Sequence, residues 1–157
     1  MDVNYLYSNV FVFLLMSKNK KAENSVKIYA TLVINFFQSI LEFDLSKYVE
    51  GKYAFVTDGF RMITLWQTAK SNFDIHTAGL HHLAFQVETA EDLYKVEKKL
   101  KENNYRIQFD GVGVRGEEGD FLALYFYDPS GIRIELVSNE LDEIGRIPII
   151  GGCGAID

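Results

Sequence analysis

Apolar residues recur along this chain with two different periods, and the change of period marks out its elements. Val33, Phe36, Phe37, Ile40 and Leu41 fall at helical spacing and give one apolar face, which predicts an amphipathic helix. Tyr53–Thr57 and Phe60–Trp66 then read as strands, separated by Asp58-Gly59, a strong tight-turn signal. A further strand is predicted over Leu80–Val87. Thr89 follows as an N-cap, with Asp92 three residues on in a capping-box arrangement. Leu93, Val96 and Leu100 form the buried stripe of the helix so capped, while Lys95, Lys98, Lys99 and Lys101 sit largely on its wet side. Asn103 and Asn104 end it. Three more strands are predicted over Tyr105–Phe109, Phe121–Tyr127 and Ile132–Ser138.

The later segment is therefore strand, helix, strand, strand, strand. The earlier one has the same closing pair, with Gly59-Phe60-Arg61 echoing Gly131-Ile132-Arg133. Internal duplication is the economical explanation, and coincidence of two α+β segments the alternative. The expected organisation is a divergent first module over residues 1–75, a second over 76–140 and a tail over 141–157. Two segments compete for the first module's opening strand. Tyr5–Met16 reads as strand, while Val26–Ile34 is rich in β-branched residues and also runs into the first helix. Between them Ser17–Ser25 reads as a solvated loop or a helix start. The glycine-containing tail, Ile150–Asp157, is expected to be loose.

Composition narrows the class. A length of 157 residues with 48% hydrophobic and 24% charged side chains is ordinary for a globular protein with a sizeable core. Twelve Phe and nine Tyr make a core or a pocket aromatic-rich. A net charge of −6 leaves no basic footprint for nucleic acid. The single Cys153 excludes an intrachain disulfide. Val10–Met16 is far shorter than the roughly 20 residues that span a bilayer. Its lysines, Lys18, Lys20 and Lys21, follow the run rather than precede it, the reverse of a secretory signal. A buried strand is the reading adopted, with no membrane association and a cytoplasmic location.

Chemistry concentrates on two strands. Alternation puts Leu83, Phe85 and Val87 on one face with His81, and His82, Ala84 and Gln86 on the other, a face that suits a cavity better than a core. Ile132, Ile134 and Leu136 likewise leave Arg133, Glu135 and Val137 opposite. A carboxylate in mid-strand needs a partner, a metal or water, because burying it alone is expensive. An internal Arg133–Glu135 pair or an exposed sheet face would satisfy Glu135 without function, and a lone His82 would be structural. Taken together, His82 and Glu135 would offer one nitrogen and one oxygen to a divalent ion such as iron, manganese, nickel or zinc. Two ligands are one short of the usual minimum. His76 and His81 read as structural or exposed. Arg115, between Gly113 and Gly116, reads as a loop residue, either solvated or gripping an anionic substrate. Trp66, Tyr53 and Phe55 read as cavity wall or core.

Leu80–Val87, the capped helix and Leu124–Glu135, with its Asp128-Pro129-Ser130-Gly131 turn, together resemble the second module of the vicinal oxygen chelate superfamily, which contains glyoxalases, bleomycin-resistance proteins and extradiol dioxygenases. The likeness is good over about 60 residues and weak over Val33–Trp66. It implies an α+β fold of paired βαβββ modules forming an open cavity between curved mixed sheets. It also implies metal-ligand positions at His82 and Glu135 and a substrate-facing phenol at Tyr125, which could equally be an ordinary strand aromatic. Thr64, or Gln67 in a shifted register, stands where glyoxalases carry a further Glu. No His precedes His76, so the first module's ligand is missing, and the active-site His of extradiol enzymes is replaced by Glu117, Glu118 and Asp120. The length and composition of the N-terminus relative to the family suggest an insertion or a disrupted opening strand. Two functions follow from the resemblance. One is a metal-dependent lyase, isomerase or dioxygenase chelating two adjacent oxygens of a substrate that Thr64, Trp66 and Arg115 help to bind. The other is a metal-free, drug-sequestering binding protein. Modules of this kind also pair across subunits, which makes a homodimer an expectation.

Overall fold

Strands form here where β-branched and aromatic residues alternate between two environments, and the alternation is visible in burial. In Tyr53–Thr57 (β3), Ala54 and Val56 are fully buried while Tyr53, Phe55 and Thr57 are half-buried. The computed structural model describes residues 11–17, 23–69, 73–74, 76–115 and 121–140, with side chains from residue 30 onward. The chain divides into two compact units, Met1–Asn72 and Phe73–Asp157.

In the first unit the order is β1 (Phe11–Ser17), α1 (Glu23–Ser39), β2 (Asp44–Val49), β3 and β4 (Met62–Ala69). The sheet runs β1-β4-β3-β2, with β1 parallel to β4 and the remaining pairs antiparallel. Helix α1 packs on this sheet through Val33, Phe36 and Phe37, with Ile40 just beyond its end, all at most 1% exposed, against the face that holds Ala54, Val56, Ile63 and Leu65. Its end is a Schellman-type cap. Glu42 takes φ 58°, the Phe43 N–H donates to the Phe37 carbonyl at 3.0 Å, and the Phe37 and Phe43 rings meet at 5.8 Å.

The second unit repeats the plan with β5 (Leu83–Gln86), α2 (Ala90–Glu102), β6 (Ile107–Arg115), β7 (Phe121–Tyr127) and β8 (Arg133–Ser138), in sheet order β5-β8-β7-β6. Again the opening and closing strands are parallel. Thr89 caps α2 with a full capping box to Asp92, and Leu93 and Leu100 of that helix are fully buried. Both parallel pairs join residues 51 positions apart, as in Phe13 with Thr64 and Ala84 with Glu135. Matching topology and matching spacing support the duplication expected from sequence. Fold class is as expected: α+β, built from two βαβββ modules with mixed sheets.

Several boundaries differ, each for a physical reason. The opening strand is β1, which overlaps the Tyr5–Met16 alternative over residues 11–16 (residues 5–10 lie outside the described residues), whereas Val26–Ile34 lies inside α1. β-branched residues lower helix propensity by only a few tenths of a kcal/mol each, which one buried face outweighs. The first helix therefore starts ten residues before Val33. Strand β2 was not expected, since its residues are almost all exposed and show no alternation. Phe60, placed in a strand by sequence, is 76% exposed in the β3–β4 turn. There Asp58 Oδ1 accepts the Phe60 and Arg61 N–H groups. Strand β5 is shorter than Leu80–Val87, and β6 runs six residues beyond Phe109. The tail, Ile150–Asp157, lies outside the described residues. Among the described residues no helix is long and apolar enough to cross a membrane.

Candidate functional site

Strand β8 holds Ile134 and Leu136 on the face shared with Leu122, Leu124 and Phe126, all at most 3% exposed. Alternation turns Arg133 and Glu135 to the other face, yet these two are also buried, at 1% and 4% exposure. Strand β7 and the residue just before β5 supply Glu135 with its two partners. Tyr125 stands directly opposite it in the antiparallel β7–β8 register, and its hydroxyl donates to Glu135 Oε1 at 2.5 Å. Ala84 is its neighbour on parallel β5, so His82, two residues earlier, shares the face and brings Nε2 to 2.9 Å from Glu135 Oε2. The His82 and Tyr125 rings lie edge-to-face at 6.4 Å.

Burial pushes the His82 imidazole below its ordinary pKa; Glu135 pulls the other way, and His81 and Arg133 add to the lowering. An ionised carboxylate only accepts, so the contact with Glu135 places a proton on His82 Nε2. His81 Nδ1 lies 2.6 Å from His82 Nδ1, with the donor set by the tautomers of the two rings. The buried end of the cluster is cationic and aromatic. The Arg133 guanidinium lies 4.4 Å from the Tyr125 ring centre, and that of Arg115 lies 5.1 Å from the same ring and 4.1 Å from Phe109. Phe109 meets Tyr125 edge-on at 5.8 Å. It reaches this position through an irregular stretch of β6, where the register with β7 breaks between Gln108 and Gly113 and Phe109, Asp110 and Gly111 take φ of 61°, 60° and 126°. Arg133 Nε and Nη1 are buried without hydrogen-bond partners.

His82, Glu135, Tyr125 and Arg115, four of the residues singled out from sequence, thus come together on one face of the second sheet. Arg115 is not a loop residue: it ends β6 and is 2% exposed. An internal Arg133–Glu135 pair does not form, because His82 and Tyr125 take both carboxylate oxygens. Thr64 and Trp66 belong to the first unit. Thr64 is buried, and Trp66 packs on Tyr53 at 5.1 Å, which in turn stacks on Phe55 at 4.9 Å. With Thr64 set against Glu135, register makes Phe11 and Phe55 the first-unit counterparts of His82 and Tyr125. Strand β1 is intact, and its residues, Phe-Val-Phe-Leu-Leu-Met-Ser, include no His, Asp or Glu. His76 and His81 are exposed. Sequence reasoning left Arg133 and Phe109 out of the site. Arg133 was detectable, since it alternates with Glu135 on one face. Phe109 was not, because only the left-handed stretch aims it there.

For a metal ion the fit is partial. A spacing of 2.9 Å between His82 Nε2 and Glu135 Oε2 suits two ligands on one edge of a coordination polyhedron, at about 2.1 Å from the ion. Among the described residues, however, no third His, Cys, Asp or Glu joins them, and the ion would have to displace the proton on Nε2. The two residues do not make a centre by themselves.

The sequence model of the Glyoxalase/Bleomycin resistance protein/Dioxygenase superfamily matches residues 32–136. No curated protein matches the chain. Among solved structures, a glyoxylase/bleomycin resistance protein/dioxygenase domain from Frankia sp. EAN1pec is 19% identical with a TM-score of 0.63, covering 82% of this chain and 94% of that one. Lactoylglutathione lyase from Agrobacterium tumefaciens is 15% identical, with a TM-score of 0.55 and coverage of 80% and 91%. A variant of the fosfomycin resistance protein FosX from Listeria monocytogenes, complexed with Mn(II) and 1S,2S-dihydroxypropylphosphonic acid, is 17% identical, with a TM-score of 0.59 and coverage of 80% and 85%. At such identities the likeness is one of fold.

Proposed function

Because the chain belongs to the Glyoxalase/Bleomycin resistance protein/Dioxygenase superfamily, the vicinal oxygen chelate fold, we propose that it binds a small oxygen-bearing molecule on the second sheet, at the His82–Glu135–Tyr125 cluster, through hydrogen bonds and without a complete protein-held metal centre. The observation that carries this reading is the state of Glu135. Both of its oxygens are engaged by side chains of the same face, and neither β1 nor β4, the opening and closing strands of the first unit, carries a carboxylate or an imidazole. The cluster is a preformed set of donors and acceptors next to aromatic rings, which suits a polar ligand with an unsaturated or planar body.

A second reading, a metal-dependent lyase, isomerase or dioxygenase, is favoured by the 2.9 Å spacing of His82 Nε2 and Glu135 Oε2. A divalent ion there, iron, manganese, nickel or zinc, would supply a Lewis acid to two adjacent substrate oxygens. Metal analysis after incubation with each ion in turn, on the wild type and on His82→Ala and Glu135→Ala, separates the two. The binding reading expects well under one equivalent of metal and no difference among the three proteins. One equivalent in the wild type, lost in both variants, overturns it in favour of the metal-dependent reading. A thermal-shift screen of vicinal diols, hydroxy acids and catechols is the companion test; hits are expected to weaken in Tyr125→Phe.

A further inference from the structure

Among the described residues Arg133 has no carboxylate partner for its charge. Its side chain is 1% exposed, Nε and Nη1 are buried without hydrogen-bond partners, and no ion pair to it is found among the described residues. The one carboxylate on its own strand and face, Glu135, is committed to Tyr125 and His82. What Arg133 does have is the face of Tyr125, at 4.4 Å. A cation–π contact offsets part of the cost of burying a guanidinium but supplies no acceptor for its N–H groups. Folding alone does not explain such a residue: an apolar side chain of the same length would fill the space without the desolvation penalty.

Resting on the reading that the ligand lies at the His82–Glu135–Tyr125 cluster, we infer that Arg133 is the anchor for an anionic group of that ligand, a carboxylate or phosphate-like oxyanion, and that the molecule this protein takes is an acid. The guanidinium is weakly hydrated, permanently charged and already desolvated, so an incoming oxyanion meets donors that lose no water on binding. Its neighbours fit the same ligand. The Tyr125 ring lies beside the guanidinium, and Phe109 and the Arg115 guanidinium border that ring. Glu135 does not repel the anion at full strength, because two hydrogen bonds already engage its oxygens. Arg133 is thus a binding residue that selects charge, placed two positions from the carboxylate that orients the rest of the cluster.

Calorimetric titration of the full chain with benzoate and with benzamide, its uncharged match, tests this. Benzoate is expected to bind the wild type about tenfold more tightly than benzamide, the scale of one charged hydrogen-bonded contact. Arg133→Met is expected to remove that preference while its melting temperature stays at or above that of the wild type. Should Arg133→Met fail to fold, Arg133→Lys carries the test. It retains the charge but not the planar donors, and benzoate is expected to weaken at least threefold with benzamide unchanged. Benzoate binding that neither variant alters overturns the inference, as does a wild type that binds neither probe. Equal binding of acid and amide, weakened by Tyr125→Phe, also overturns it but leaves the ligand at the cluster, so the two proposals fail separately.

Discussion

Asp128 and Arg133 sit five positions apart in the closing turn and strand of the second unit, and both are buried ionisable groups with opposite solutions to the same problem. Arg133 stays charged. Asp128 is pushed up to about 7 by burial, against backbone N–H groups of Ile132, Ser130 and Gly131 that pull the other way. Its folded pKa lies above the ordinary 3.8, so the native state holds a proton that the unfolded chain releases. The stabilising contribution is therefore complete below about pH 4 and is lost as pH rises towards 7. Asp128→Asn keeps an Oδ1 acceptor for the Ser130 and Ile132 N–H groups, which lie at 2.8 Å, and removes the titration. Urea unfolding at pH 5 and pH 8 should show a smaller stability difference between the two pH values in Asp128→Asn than in the wild type. An undiminished difference would place the titration elsewhere. At this scale the sequence was readable where alternation decides direction: His82, Glu135 and Tyr125 share a face because a strand has period two. It was unreadable where a partner decides the role. The burial of Arg115 and the lack of acceptors around Arg133 depend on what surrounds them, which no spacing reports.

Among the elements, α2 and β6 show how local rules succeed and fail. Helix α2 begins where Thr89 and Asp92 say it should, with the Asp92 N–H donating to Thr89 Oγ1 at 3.2 Å. Thr89→Ala is expected to cost about 1 kcal/mol and to lower the melting temperature by roughly 2–4 °C. Thermal denaturation followed by circular dichroism checks it. Strand β6 was legible only in its first residues, because the left-handed stretch at Phe109–Gly111 interrupts its pairing with β7 before the ladder resumes at Gly113. Asp110-Gly111 is the local signal for that irregularity. A Cβ on Gly111 would run into the Glu97 carboxylate, itself buried and bonded to Lys101, whereas a Cβ on Gly59 would meet nothing within 4 Å. Both glycines have positive φ, at 126° and 92°. Backbone strain of about 1–3 kcal/mol applies to each, and the collision to Gly111 alone. Gly111→Ala should therefore be clearly more destabilising than Gly59→Ala in denaturant titrations; equal losses would show that the Glu97 contact is immaterial. Strand β2 illustrates the opposite limit. With its side chains almost all exposed, hydrogen bonding to β3 is what makes it a strand, and that pairing leaves no trace in hydrophobic pattern.

For the whole molecule, duplication was legible because repeated topology carries repeated punctuation, the Gly-x-Arg before each closing strand. The asymmetry of chemistry was legible too, since no His precedes His76 and Thr64 or Gln67 stands where a Glu would be expected. What the sequence could not supply was the opening strand of the first unit, where two β-rich segments competed and amphipathic packing on a sheet settled one of them as helix. Charge acts at this scale as well. A chain of net charge −6 carries no overall cationic excess to match a phosphate backbone. No retention of a 30-base-pair duplex is expected in filter binding at about 0.1 M salt, and salt-sensitive retention would contradict the picture of a small-molecule protein. The parallel pairing of β1 with β4 has one more consequence, for synthesis of the chain. Within the first unit β1 is made before β2, β3 and β4 yet pairs only with β4, so Met62–Ala69 must follow before β1 has a partner. Until then Phe11–Met16, six apolar residues in a row, travels without a sheet. Long-range closure of this kind slows folding and leaves such a segment open to self-association. Stalling translation between residues 50 and 60 should thus expose this run to holdase chaperones, and release should follow once β4 has emerged.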